Sequence, residues 1–311
     1  STQAKTLFPY TTLFRSHQIV VVPSAMSGET NRLLGLAKEL QPAQLDAAAM
    51  RELDAIAATG EQVSVGLLAL ALQAEGQPAV SYGGWQVPIQ TDSTYTKARI
   101  EAIDDARVRA DLGAGKVVII TGFQGIDGDG NITTLGRGGS DTSAVAIAAA
   151  FGAERCDIFT DVDGVYTCDP RIVKKAQKLD RVSYEEMLEM ASLGSKVLQT
   201  RSVELAMNYR VRVQVLSTFD DKAAGNIPGT LLVDEEELVE QQRVTGIAYS
   251  REEARITLTN VENRPGVSAG LFGPLADAGI NVDMIVQNTS ADGSTTDITF
   301  TVPNADHDRA R

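Results

Sequence analysis

The chain has 311 residues, 43% of them apolar, and a formal net charge of -13. That length and apolar content suffice for one large domain and a smaller one, and an acidic chain with no clustered basic face is not built to hold a nucleic-acid backbone. Its two cysteines, Cys156 and Cys168, argue against a disulfide framework, and its two histidines, His17 and His307, against a His-based metal site or a Ser-His-Asp triad.

The cysteine usage points to a reducing, cytoplasmic setting. There is no apolar leader segment, and no apolar run approaches membrane-spanning length, so no membrane contact is expected. Residues 1–16 contain the stretch TLFPYTTLFRS, which shows neither a helical nor a strand period. From His17 the pattern becomes regular. HQIVVVPSAMS predicts a buried strand leading into a loop. TNRLLGLAKEL, LDAAAMRELDAIAATG and EQVSVGLLALALQAEG predict helices that end at Gly or Pro. PAVSYGG predicts a strand, KARIEAIDDARVRADLGAG a helix, and KVVIITGF a strand buried on both faces of a parallel sheet. A Gly-rich loop then joins an Ala-rich helix, RCDIFTDVDGVYTCDPR forms a strand with an acidic turn, and two helices lead to the strand RVRVQVLST. The strand NIPGTLLVD closes an α/β domain.

The charged run at residues 235–242 reads as a linker. Beyond it RITLTNV, GVSAGLFGPLADAG, INVDMIVQNTS and STTDITFTV predict strand, helix, strand, strand, with a hairpin turn at Asp292-Gly293 and a second helix beginning near the C-terminus.

Chemistry concentrates in TTLGRGGSDTSAVAIAAA. Gly136, Gly138 and Gly139 permit backbone conformations that a Cβ resists, Ser140 and Asp141 stand at a helix N-terminus that favours anions, and Arg137 offers a fork for carboxylate or phosphate. The bland alternative is a flexible loop with a serine cap. In FTDVDGVYTCDPR, Asp161 and Asp163 fall at the C-terminal end of a strand, where open α/β sheets bind ligands, with Tyr166 suited to a flat base and Arg171 to phosphate. A calcium loop is disfavoured there and in DGDGN, which is better read as a hairpin turn. Thr30, Glu61 and Lys196 taken singly are caps or solvated charges.

Taken together and in order, SAMSGETN, TGEQVS, TGFQGI, TTLGRGGSDTSAVAIAAA, FTDVDGVYTCDPR, SYEEMLEMASLGSKVLQTRSVELA, NRPGVSAGLF and GINVDMIVQNTS resemble the aspartokinases from about His17 onward. The resemblance implies a three-layer αβα amino-acid kinase fold with a mostly parallel sheet over residues 17–234, a linker at 235–242, and an incomplete ferredoxin-like (βαββαβ) ACT domain over 243–311. It implies transfer of the ATP γ-phosphoryl group, with Mg²⁺, to the side-chain carboxylate of L-aspartate, the first step toward lysine, threonine and methionine. In that likeness Thr30, Glu61, Arg137, Gly138, Gly139 and Ser140 hold aspartate, with Glu61 on its ammonium. Asp141, Arg137 and Ser140 serve the phosphoryl-transfer centre, and Thr160, Asp161, Tyr166, Arg171, Lys196 and Val197 line the nucleotide site. It further implies lysine or threonine as allosteric effectors and a homodimer or mixed-subunit tetramer formed through ACT domains. An aspartate carboxylate, with an ordinary pKa of about 3.9, is already an ionised nucleophile at neutral pH, so no histidine base is required. Aspartokinases open with a Lys-Phe-Gly-Gly-Thr-Ser loop that is absent here. TLFPYTTLFRS instead resembles the translation of a sequencing adaptor, so residues 1–16 are expected to lie outside the fold and the chain to be truncated and inactive or nearly so. Rival readings are a non-catalytic ACT-type amino-acid-sensing regulatory subunit and another carboxylate kinase of the same fold.

Overall fold

The computed structural model describes residues 17–40, 46–219, 229–238, 245–249, 252–278 and 280–311, so the expectation for residues 1–16 lies outside the described residues. The chain divides into two compact units between Ala248 and Tyr249. The apolar run after His17 yields the short strand β1 (Val20–Val21), and three helices follow: α1 (Glu29–Leu40), α2 (Ala47–Ala57) and α3 (Thr59–Ala74). Asp46 caps α2 by accepting the Ala49 N–H at 2.8 Å. Gly60 was expected to end a helix, yet it lies inside α3, because α2 and α3 join directly through Ala58. The joined stretch Ala47–Ala74 spans 28 residues and is long and apolar enough to cross a membrane, contrary to the sequence reading. Within the first unit it buries Val65, Ala69 and Leu72 together with two carboxylates, Asp54 and Glu61, while Val63, Leu67 and Leu70 stay exposed.

Strands β2 (Ala79–Tyr82) and β3 (Ile89–Thr91) come next. Residues 97–115, read as one helix, divide into strand β4 (Ile100–Ile103) and helix α4 (Ala106–Gly113). Tertiary pairing decides this. Strand β4 runs antiparallel to β3 with Ile103 opposite Ile89, and Ile100 and Ile103 pack against the cluster around Val87 and Ile89. Strand β5 (Val117–Ile120) is buried at every position and lies parallel between β1 and β2. Strands β6 (Gln124–Ile126) and β7 (Ile132–Thr134) form the expected hairpin, whose turn is held by Asp127 accepting the N–H groups of Asp129 (3.0 Å) and Asn131 (2.8 Å).

Helix α5 (Gly139–Phe151), β8 (Cys156–Thr160), β9 (Arg181–Ser183), α6 (Tyr184–Ser192), α7 (Thr200–Tyr209), β10 (Val213–Ser217) and β11 (Thr230–Val233) complete the first unit. The α/β layering is as expected, but the strands fall into three sheets among the described residues: β1-β5-β2, β8-β10-β11-β9 and β4-β3-β6-β7. Strands β8 and β10 are parallel, and their inward residues Cys156, Ile158, Val213 and Val215 pack with Tyr184, Met187 and Val203 of α6 and α7. Burial pushes the Cys156 thiol up to about 12, the behaviour of a core residue rather than a nucleophile.

Of the expected linker, Glu235–Glu237 form a short 3₁₀ turn and residues 239–242 lie outside the described residues. The Ile247 N–H donates to Thr167 O at 2.7 Å, so this segment belongs with the first unit and the boundary lies later than residue 243. In the second unit β12 (Glu253–Glu262), α8 (Val267–Asp277), β13 (Asp283–Thr289), β14 (Thr295–Pro303) and α9 (His307–Ala310) keep the expected order. The sheet order is β12-β14-β13, that of a ferredoxin-like unit, over a core of Leu275, Ile280, Ile298, Phe300 and Val302. The turn before β14 places Gly293 at φ 73°, as an Asp-Gly hairpin requires.

Candidate active site

A cleft of about 1370 Å³ opens in the first unit, walled by the loop after β1, the α2–α3 pair, residues 96–100, the β7–α5 loop and the start of α7. Glu61 stands in the first turn of α3, is 3% exposed, and lines this cleft. Its Oε1 accepts the Ala25 N–H at 3.0 Å, while Oε2 is buried without a hydrogen-bond partner among the described residues. Burial raises the Glu61 carboxyl above its ordinary range, with the Ala25 hydrogen bond opposing. A buried carboxylate oxygen with no donor, in a residue that lines a cleft, is suited to receive a cation.

Across the cleft, Gly136 (φ 80°) and Gly138 (φ 66°) turn the chain through left-handed backbone into α5. Gly138 supplies no capping side chain, so the first turn of α5, carrying Ser140 and Asp141, presents its N–H end and dipole to the cleft. The glycines are required sterically. A Cβ on Gly138 would enter the Gln199 side chain, and one on Gly139 would lie 2.8 Å from the Phe123 ring and 3.1 Å from Leu135 Cβ. Arg137 is exposed and makes no ion pair among the described residues. Burial lifts the Asp141 carboxyl to about 6. The cleft thus gathers in one lining a buried carboxylate with an unpartnered oxygen, a guanidinium, two left-handed glycines and a helix N-terminus. A small zwitterion with a further acidic group fits that arrangement.

The amino acid kinase family profile matches residues 11–217 and the ACT domain profile residues 255–311. An aspartate kinase of Pseudomonas fluorescens is 58% identical over 293 residues, 94% of this chain and 69% of the relative. The chain belongs to the aspartokinase family. Among solved aspartokinases, that of Synechocystis superposes with a TM-score of 0.62 at 38% identity, covering 99% of this chain, which spans 51% of the Synechocystis chain. The structure of E. coli aspartokinase III with lysine and aspartate superposes with a TM-score of 0.70 at 27% identity, covering 94% of this chain and 75% of that one.

Of the residues that the aspartokinase likeness assigned to aspartate and phosphoryl transfer, the cleft gathers Thr30, Glu61, Arg137, Gly138, Gly139, Ser140 and Asp141. The nucleotide set stands apart from it. Thr160 and Asp161 close β8, and Thr160 Oγ1 donates to Asp161 at 3.2 Å. The Tyr166 hydroxyl donates to Asp163 at 3.0 Å, and Arg171 forks onto Asp169 at 2.9 Å. Lys196 is exposed, whereas Val197 packs against the α6–α7 core. Gln199, three residues after Lys196, is the side chain that meets Gly138, so the two groups of residues adjoin there.

Sequence reasoning missed several residues that line the cleft: Asp54, Lys97, Arg99, Phe123 and Arg201. Phe123 holds φ 68°, a conformation few non-glycine residues adopt. It is fixed there by its N–H donating to Ser143 Oγ (3.0 Å) and its carbonyl accepting the Leu135 N–H (2.9 Å). The place of TGF at the end of a buried strand is the signal that points to Phe123; for the others no local signal exists.

Proposed function

We propose that the first unit binds L-aspartate in this cleft and directs the ATP γ-phosphoryl group onto its side-chain carboxylate. The observation that carries the reading is the buried, partnerless Glu61 Oε2 in the same cleft as Arg137 and the N-terminus of α5. In this proposal Glu61 takes the ammonium, Arg137 with the Gly138–Ser140 backbone takes a carboxylate, and Thr30 assists. The nucleophilic carboxylate then lies at the positive end of α5, where negative charge that develops in transfer meets preorganised donors. ATP lies toward Thr160, Asp161, Tyr166, Arg171, Lys196 and Val197. Mg²⁺ bound with the nucleotide would supply neutralisation of its phosphates. Asp141 suits one contact to it, since Mg²⁺ is commonly held by one or two carboxylates plus phosphates. The second unit would answer lysine or threonine, as the E. coli relative was crystallised with lysine, and would pair with a second ACT unit in a dimer or mixed-subunit tetramer in the cytoplasm. A pure amino-acid sensor would not need the cleft or its glycine loop.

The test is aspartate-dependent ADP formation by this chain and by a version whose residues 1–16 are replaced with an aspartokinase opening that carries Lys-Phe-Gly-Gly-Thr-Ser. Activity is expected in the replaced version and little in the other, since one preorganised transition-state donor is worth on the order of a hundredfold. A folded, replaced chain that ignores aspartate would overturn the assignment.

A further inference from the structure

Two charged side chains, distant in sequence, grip the same two backbone segments beside the glycine loop. Asp54 of α2 is 1% exposed and accepts three hydrogen bonds: from Thr96 N at 2.9 Å, Thr134 N at 2.8 Å and Thr134 Oγ1 at 2.6 Å. Arg201 of α7 donates to Leu135 O at 3.1 Å and Ala98 O at 2.8 Å. The anion therefore takes N–H groups, and the cation takes carbonyls, of the same pair of segments, 96–98 and 134–135. Those segments are also tied to each other by the Ala98 N–H donating to Thr134 O at 2.9 Å. The next residue along, Gly136, passes so close that a Cβ on it would lie 3.0 Å from Thr96 O. Where Arg137 stands is set by where residues 134–136 stand, and these are set by Asp54 and Arg201.

Neither side chain is a cheap structural choice. Burial raises the Asp54 carboxyl, and its hydrogen bonds from Thr134 and Thr96 only partly oppose this; burial likewise pulls the Arg201 guanidinium below its ordinary value, with Arg99 adding to the effect. Apolar side chains would pack these positions without the cost of desolvating charge, but could not fix four backbone groups at defined points. We propose that Asp54 and Arg201 are positioning residues that act as a clamp, holding the Gly136–Gly138 turn so that Arg137 and the N-terminus of α5 converge on aspartate. Helix α7 is thereby coupled to the substrate loop through Arg201. This rests on the aspartate-binding reading above.

The test is calorimetric titration of the full chain with aspartate, and separately with MgATP, for the parent, Arg201→Lys, Asp54→Asn, the double variant, and Arg137→Ala as a control for the reading itself. Arg201→Lys keeps the charge but loses the fork, and Asp54→Asn keeps the shape but loses acceptors. Each is expected to weaken aspartate binding about tenfold or more while MgATP affinity changes less than about twofold. The double variant should be little worse than the poorer single one, as for groups acting as one unit. Guanidinium added to Arg201→Ala should restore part of the aspartate affinity, which a loss of general packing would not allow. Unchanged aspartate affinity in Arg201→Lys and Asp54→Asn, with Arg137→Ala strongly impaired, overturns the clamp and leaves the site standing. Equal losses for both ligands also overturn it. If Arg137→Ala binds aspartate normally, the binding reading itself fails.

Discussion

Glu61 keeps one carboxylate oxygen inside the fold with nothing to bond, a cost that a receptor accepts and a scaffold does not. Because burial raises its folded pKa, the stability attached to Glu61 is fully present below its unfolded value and is lost as pH rises through the folded one. Glu61→Gln is therefore expected to raise the melting temperature of the ligand-free chain near about pH 8, to lose that advantage toward about pH 4.5, and to weaken aspartate binding at least about tenfold. Thermal scans across that window, paired with titration, check it; a variant less stable at every pH would count against an open acceptor. Asp141 has a similar origin but a different consequence. With its carboxyl lifted to about 6 by burial, it is mostly ionised only above that pH. Its share of the affinity for Mg²⁺ with nucleotide should then climb as pH rises through about 6, on top of the titration of the nucleotide's own phosphates, and Asp141→Asn should remove that share. The same pH profile in the parent chain and in Asp141→Asn would remove Asp141 from that role.

Helix α3 contains two glycines whose surroundings differ, and they make a paired experiment. A Cβ on Gly60 would come within 2.8 Å of Ala25 Cβ, an atom rigidly attached to the backbone that bonds Glu61; Gly66 has nothing within 4 Å. Gly66→Ala should stabilise the chain by about 0.5–1 kcal/mol through helix propensity alone. Gly60→Ala earns the same propensity but forces Ala25 away, so it should be destabilising by about 1 kcal/mol or more net and should loosen aspartate binding. Denaturant midpoints of the two variants, opposite in direction from the parent, are the check. The same helix shows what sequence can and cannot reveal about elements. Helical spacing marked α3 and a continuous apolar run marked the buried β5, because both signals are local. Periodicity read residues 97–115 as one helix because Ile100 and Ile103 also fit a helical spacing, and only the pairing with Ile89 makes them a strand. Three-residue strands such as β9 carry too few side chains to show a period at all.

At the scale of the whole chain, a net charge of -13 surrounds a cleft lined by Lys97, Arg99, Arg137 and Arg201. Asp54, Glu61, Asp141 and Glu204 line the same cleft, so its charges balance overall, but the exposed Arg137 is open to screening, so aspartate binding should weaken about twofold or more between roughly 0.05 M and 0.5 M salt, while the melting temperature moves little. Equal affinity at both salt concentrations would mean that hydrogen bonds, not charge, dominate. The long range of this assembly also explains how far the site was legible. The glycine loop, Glu61 and Asp141 announce themselves in short motifs, since a tight turn and a helix N-terminus are local devices. Asp54 meets Thr134 across 80 residues and Arg201 meets Ala98 across 103, and a lone Asp or Arg in a helical stretch carries no sign of such an appointment.

The contact between Gly138 and Gln199 has a further meaning, in the language of heredity rather than structure. A side chain at 138 would occupy the volume that Gln199 already fills, and the left-handed backbone there disfavours one in any case. A lineage can change position 138 only by first shortening position 199, and even then at a cost. The dependence runs one way: the codon for 199, beside the residues assigned to nucleotide, can shorten alone, whereas the codon for 138, in the loop assigned to aspartate, cannot grow before it does.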